Sequence, residues 1–243
     1  MKSFTFAKRC TKEILRDPLN IVFGLGFPVV LLLLLSAIQA NIPTPLFEID
    51  SLAPGISVFG LSFMTLFSAT LIAKDRESSF LQRLYTTPLK PSDFILGYLI
   101  HLLPISLSQT AICYIVSAFL GLTVTINVLC AVLAIIPASA FYISLGLLCG
   151  SILGSKQVGG ICGALLTNLS AWLSGVWFDL SLVGGAFQKI AHFLPFVHAV
   201  EFEKSILNGN FTSALPHLYV VLFYAIITTI GAVLLFLRQM AKN

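Results

Sequence analysis

Apolar residues run through this chain in blocks broken by short charged segments. No Asp, Glu, Lys or Arg occurs between Asp93 and Lys156. Charge-free runs also cover 18–47, 51–73, 157–178 and 205–237. A helix needs about 20 apolar residues to cross a bilayer. The pattern predicts six spans, at about 18–40, 52–73, 94–120, 128–153, 158–178 and 217–237. The first run exceeds a signal-peptide core and follows a basic stretch, so it reads as an anchor rather than a leader. Residues 1–243 form one all-α, polytopic membrane domain on this reading.

Two connecting segments have patterns of their own. Residues 3–16 predict an amphipathic interfacial helix. Ala7, Cys10 and Ile14 recur on one side, and Lys8, Arg9, Lys12 and Arg16 on the other. The segment 179–215 is too apolar for a water-exposed loop. Helical periodicity over 186–196 and 197–207, with Pro195 between, predicts a re-entrant hairpin before the last span.

Charge adds orientation. Twelve of the 14 Lys and Arg fall on one side of the predicted spans, and only Lys189 and Lys204 on the other. The positive-inside rule places both termini in the cytoplasm. Hydrophobic residues reach 57% and charged residues 10%, against ~25% charged in a soluble domain. The surroundings are therefore lipid, and nothing suggests nucleic acid. The five cysteines form no C-x-x-C pair and read as apolar packing residues.

Catalytic patterns are missing. There is no H-E-x-x-H and no G-x-x-x-x-G-K-[ST] loop. Gly150-Ser151-Ile152-Leu153-Gly154-Ser155-Lys156 has one residue too few between its glycines. His192 and His198 are six apart and share no helix face, so no metal site is predicted. The chain reads as no enzyme and binds no cofactor of its own. Any uphill transport would draw on another protein's energy.

Two patterns concern packing. Gly146, Gly150 and Gly154 recur every four residues in the fourth span, and Gly159 and Gly163 do so in the fifth. Such spacing lets helix backbones approach closely, and the reading pairs spans four and five. Phe59, Phe63, Phe67, Trp172 and Trp177 are candidates for lining an apolar path.

The predicted cytoplasmic loop 74–93 holds the most specific motif. Ser79 and Gln82 form a capping box. Phe80, Leu81, Leu84 and Tyr85 share a helix face, and Pro88 ends the helix. A displayed amphipathic helix suits docking in a partner's groove. At Asp75-Arg76-Glu77, Phe80-Leu81-Gln82-Arg83-Leu84 and Thr87-Pro88-Leu89 the chain resembles the permease subunits of ABC-2 type exporters. Leu52-Ala53-Pro54-Gly55, Leu173-Ser174-Gly175-Val176-Trp177-Phe178 and Ile190-Ala191-His192-Phe193-Leu194-Pro195 extend the resemblance over nearly the whole chain. Tyr98 stands where that family often has a basic residue.

The resemblance implies coupling to an ATPase subunit through Glu77, Phe80, Leu81, Arg83, Leu84, Tyr85 and Pro88. It implies ATP and magnesium on that partner, a second permease chain as homodimer or sister subunit, and a prokaryotic plasma membrane. The family's cargo comprises drugs, lipids, lipid-linked glycans and peptides. Lacking a soluble recognition domain, this chain points to small amphipathic cargo. The alternative is a stand-alone membrane immunity or resistance protein.

Overall fold

A computed structural model describes residues 22–44, 46–78 and 91–240 of the chain. The described residues form helices and no strand. Helix α1 is Val22–Gln39, opening with a π turn over Val22–Gly26. Helices α2 (Ile49–Gly60) and α3 (Ser62–Glu77) meet at Leu61 and together make one long rod. Then come α4 (Pro91–Phe119), α5 (Ile126–Ile152) and α6, a stretch over 155–173 with a π segment at Gly159–Leu166. A short α7 (Leu180–Val183) leads to α8 (Gly185–Phe193), α9 (Pro195–Leu207) and α10 (Phe211–Met240).

Five of these are long and apolar enough to cross a membrane: α1, the α2–α3 rod, α4, α5 and α10. The predicted fifth span is α6. It opens with the polar Ser155-Lys156-Gln157, carries Asn168 and ends at Leu173, five residues before the predicted boundary. The predicted amphipathic helix at 3–16 lies outside the described residues.

The packing follows from which faces must meet lipid. The α2–α3 rod is almost wholly buried. Around it, α1, α4, α5 and α10 expose Leu33, Leu34, Ile115, Leu133, Phe223 and Ile230. Large apolar side chains exposed in such number suit a lipid surrounding rather than water. The chain is a multi-pass membrane protein. Helix α5 packs against α3, α4, α9 and α10, so it is the hub of the bundle.

Interior polar side chains tie helices together. Ser144 and Thr229 hydroxyls lie 2.7 Å apart between α5 and α10, and Tyr142 and Ser170 hydroxyls 2.6 Å apart between α5 and α6. Such bonds join helices where hydrocarbon offers no competing partner. The hairpin is present as α8 and α9. Gly184 and Gly185, at φ +62° and +58°, make the sharp entry that a side chain would strain. Pro195 starts α9 where no helical amide is needed. Helix α9 packs on α2, α5 and α10.

Candidate functional site

Three consecutive residues at the end of α3 each grip a different helix. Helix ends leave amides and carbonyls without partners. Arg76 Nη1 donates to Gly150 O at 2.7 Å and Leu153 O at 3.1 Å, covering the free carbonyls at the end of α5. Glu77 Oε1 accepts from the Ser155 amide at 2.8 Å, at the start of α6. A carboxylate there also suits the positive end of the helix dipole. Asp75 is buried and accepts from Tyr98 Oη of α4 at 2.5 Å. Tyr98, the departure from the family's basic residue, thus supplies a neutral donor at that place.

This junction directly precedes the segment 79–90 in the chain. Phe80, Leu81, Arg83, Leu84, Tyr85 and Pro88 lie outside the described residues. Glu77 alone of the predicted coupling set is described, and it contacts α6. Asp75 and Arg76 were not singled out as site residues from the sequence, although the Asp-Arg-Glu triplet was the signal for them.

The glycines of the fourth span contact the second. A methyl on Gly146 would sit 2.2 Å from Thr65 O, and one on Gly150 would sit 2.4 Å from Ala69 O, both on α3. Close approach lets Thr65 Oγ1 donate to Tyr142 O at 2.8 Å and Ser68 Oγ to Ile143 O at 3.0 Å. The expected pairing of spans four and five through Gly146 and Gly150 is corrected: their partner is α3. Gly163 also faces α3, at Leu66, with ordinary contact distances. Gly154 lies near the Glu77 carboxylate, and Gly159 faces open space.

The candidate aromatics divide. Phe59 and Phe63 form a ring cluster with Phe23 and Phe27 of α1, with centroids 5.5 to 6.5 Å apart. Trp177 joins through Phe59 at 5.7 Å. Phe67 lies against Gly24, where a methyl would come within 2.6 Å of its ring. Trp172 is 49% exposed on α6 and belongs to none of these ring pairs. The phenylalanines therefore fill the seam between α1 and the α2–α3 rod.

Beyond that seam, at the hairpin end, lies a cavity of about 600 Å³. Phe47, Leu52, Trp177 and Phe178 give it apolar walls, while Asp179, His192, Glu201 and Lys204 supply polar groups. Asp179 caps α7 by accepting from the Ser181 amide at 2.8 Å. That bond holds its carboxyl below the usual carboxylate range.

Glu203 falls within the predicted hairpin segment 197–207 and stands in its core. It is fully buried, and its Oε1 accepts from Tyr114 Oη of α4 at 3.0 Å. Burial pushes its carboxyl up to about 8. Ala199 and Ile206, one turn away on either side, were the available signal for a buried face. Among the described residues, no group of three or more His, Cys, Asp or Glu is arranged to hold a metal ion.

Comparison with curated proteins returns no match. Comparison with protein families matches the ABC-2 type transporter family over residues 2–208, most of the chain. That match extends from before α1 through the hairpin and includes the Asp75-Arg76-Glu77 junction. The chain belongs to the ABC-2 type transporter family.

Proposed function

We propose that this chain is the permease subunit of an ATP-driven exporter, carrying a small amphipathic molecule out of the cytoplasm or inner leaflet. It crosses a prokaryotic plasma membrane six times, with α6 as the fifth span and both termini in the cytoplasm. A second permease chain completes the path. A separate nucleotide-binding subunit holds ATP and magnesium and docks on the segment 79–90.

The observation that supports this reading is the junction at 75–77. An ATPase pulling on 79–90 would pull on the residues beside it. Arg76 and Glu77 grip both sides of the break between α5 and α6, and Asp75 grips α4. Displacement at one loop would then reach three helices through charge-assisted bonds, which are roughly twice as strong as neutral ones. The cavity at the opposite end, apolar with a few polar groups, suits release of an amphipathic cargo.

Tagged chain purified from its native membrane in mild detergent tests the assignment. We expect it to carry ATP hydrolysis that the variant Phe80→Asp, Leu84→Asp loses while still inserting. Burying an apolar side chain contributes ~1.5–3 kcal/mol, and an unpaired charge in its place adds a further cost. Wild-type chain devoid of associated ATPase, or a double variant that keeps it, counts against this docking.

A further inference from the structure

Three of the four histidines meet at the hairpin end of the bundle. His198 of α9 has its Nδ1 2.8 Å from Nδ1 of His217 on α10. Its Nε2 lies 2.8 Å from the main-chain oxygen of His192, at the end of α8. Ring centroids are 5.0 Å apart for His198 and His217, and 6.5 Å for His192 and His198.

The heavy atoms dictate where the hydrogens sit. A carbonyl oxygen only accepts, so His198 Nε2 carries a hydrogen and donates. The Nδ1 of a neutral His198 is then a lone pair, and His217 Nδ1–H donates to it. One extra proton fits this pattern, on His217 Nε2. A second has only His198 Nδ1 left to occupy. It would set two N–H groups and two positive charges face to face, across the 2.8 Å that now holds a hydrogen bond.

Protons can reach the pair. Helix α10 has 30 residues, about 45 Å at 1.5 Å per residue, against ~30 Å of hydrocarbon. The twenty residues ending at Leu237 begin at Leu218, so His217 stands at the edge of the apolar layer. Both rings are partly exposed.

We propose that His198 and His217 form a proton-operated latch, which holds the hairpin to the last helix and releases when both rings are protonated. His192 faces it from α8, with Lys189 one turn earlier. Glu201 stands three residues along α9. Lys204 and Asp179 line the cavity beyond. A second tie joins the same elements: Tyr224 Oη of α10 donates to Phe193 O at 2.9 Å. Release is therefore a loosening of the α8–α9 corner, beside the cavity that His192, Glu201 and Lys204 help to line.

The full chain, ¹⁵N-labelled at histidine in lipid nanodiscs, tests this. Its four histidines are assignable by single substitution. At neutral pH the spectra should show His198 protonated at Nε2 and His217 at Nδ1. Acidification should give two steps, the second proton binding at least about tenfold more weakly, as for coupled sites. Amide exchange over 195–207, corrected for its intrinsic pH dependence, should rise with the second step and not the first. In His198→Phe, His217 should titrate in one step, and exchange in α9 should be fast at every pH. If that variant does not fold, His217→Asn, whose amide donates to a neutral His198 Nδ1 and, turned over, accepts from a protonated one, should keep exchange in α9 slow at every pH. Two independent, equal titrations in the wild type, or α9 exchange that stays flat across both steps, would overturn the latch.

Discussion

Tyr114 donates its phenolic hydrogen to Glu203 at 3.0 Å, joining α4 to the hairpin across a fully buried contact. Burial raises the carboxyl from 4.5 to about 8. Between those values the folded protein holds a proton that the unfolded chain has released. Stability therefore falls as pH rises through this window. Glu203→Gln, neutral at every pH, should flatten that fall and melt higher than wild type at pH 9. Each kcal/mol is worth ~2–4 °C in a chain of this size. Melting curves in nanodiscs at pH 5 and pH 9 check it; equal pH slopes in both proteins would refute it.

Gly150 and Gly159 should respond oppositely to alanine. A methyl on Gly150 meets backbone at 2.4 Å, so α3 and α5 would have to part. Overpacking of this kind costs ~1–3 kcal/mol. Gly159 faces open space, and alanine there gains helix propensity of up to ~1 kcal/mol. Thermal stability of the two variants in detergent should move in opposite directions, and similar shifts would show that α3–α5 contact is not the constraint.

Arg76→Met should leave the Gly150 and Leu153 carbonyls uncapped. An unsatisfied buried group costs ~1–3 kcal/mol. Arg76→Lys keeps the positive charge and its donors but not the planar guanidinium that sets the place of Nη1 between the two carbonyls, so it should recover part of the loss. If the junction also couples helices to the partner, Arg76→Met should uncouple ATP hydrolysis from export while the complex stays assembled. Export measured in inverted vesicles, beside hydrolysis, separates the two effects; unchanged export per ATP would remove Arg76 from the coupling route.

Topology has a direct check. In a cysteine-free background, Asn210→Cys should react with impermeant maleimide only from outside. Ser3→Cys and Asn243→Cys should react only from inside. Outside labelling of position 243 would break the six-span reading.

Much of this fold is legible along the chain, because each helix is written in local terms. Runs without charge longer than a bilayer leave the backbone no choice but helix, and Gly and Pro punctuate them, as at Gly184-Gly185 and Pro195. The Asp-Arg-Glu triplet pointed to the α3 end, and the pattern over 186–207 announced the hairpin. Partner choice was not local. The Gly146 and Gly150 ridge says that some backbone comes close, yet any helix backbone would satisfy it; only the packed bundle selects α3. Arg76 finds its carbonyls at 150 and 153, Glu203 its phenol at 114, and His198 its mate at 217, each set by how whole helices stack. Periodicity tells which face of a helix is buried, and the tertiary structure alone decides what that face meets.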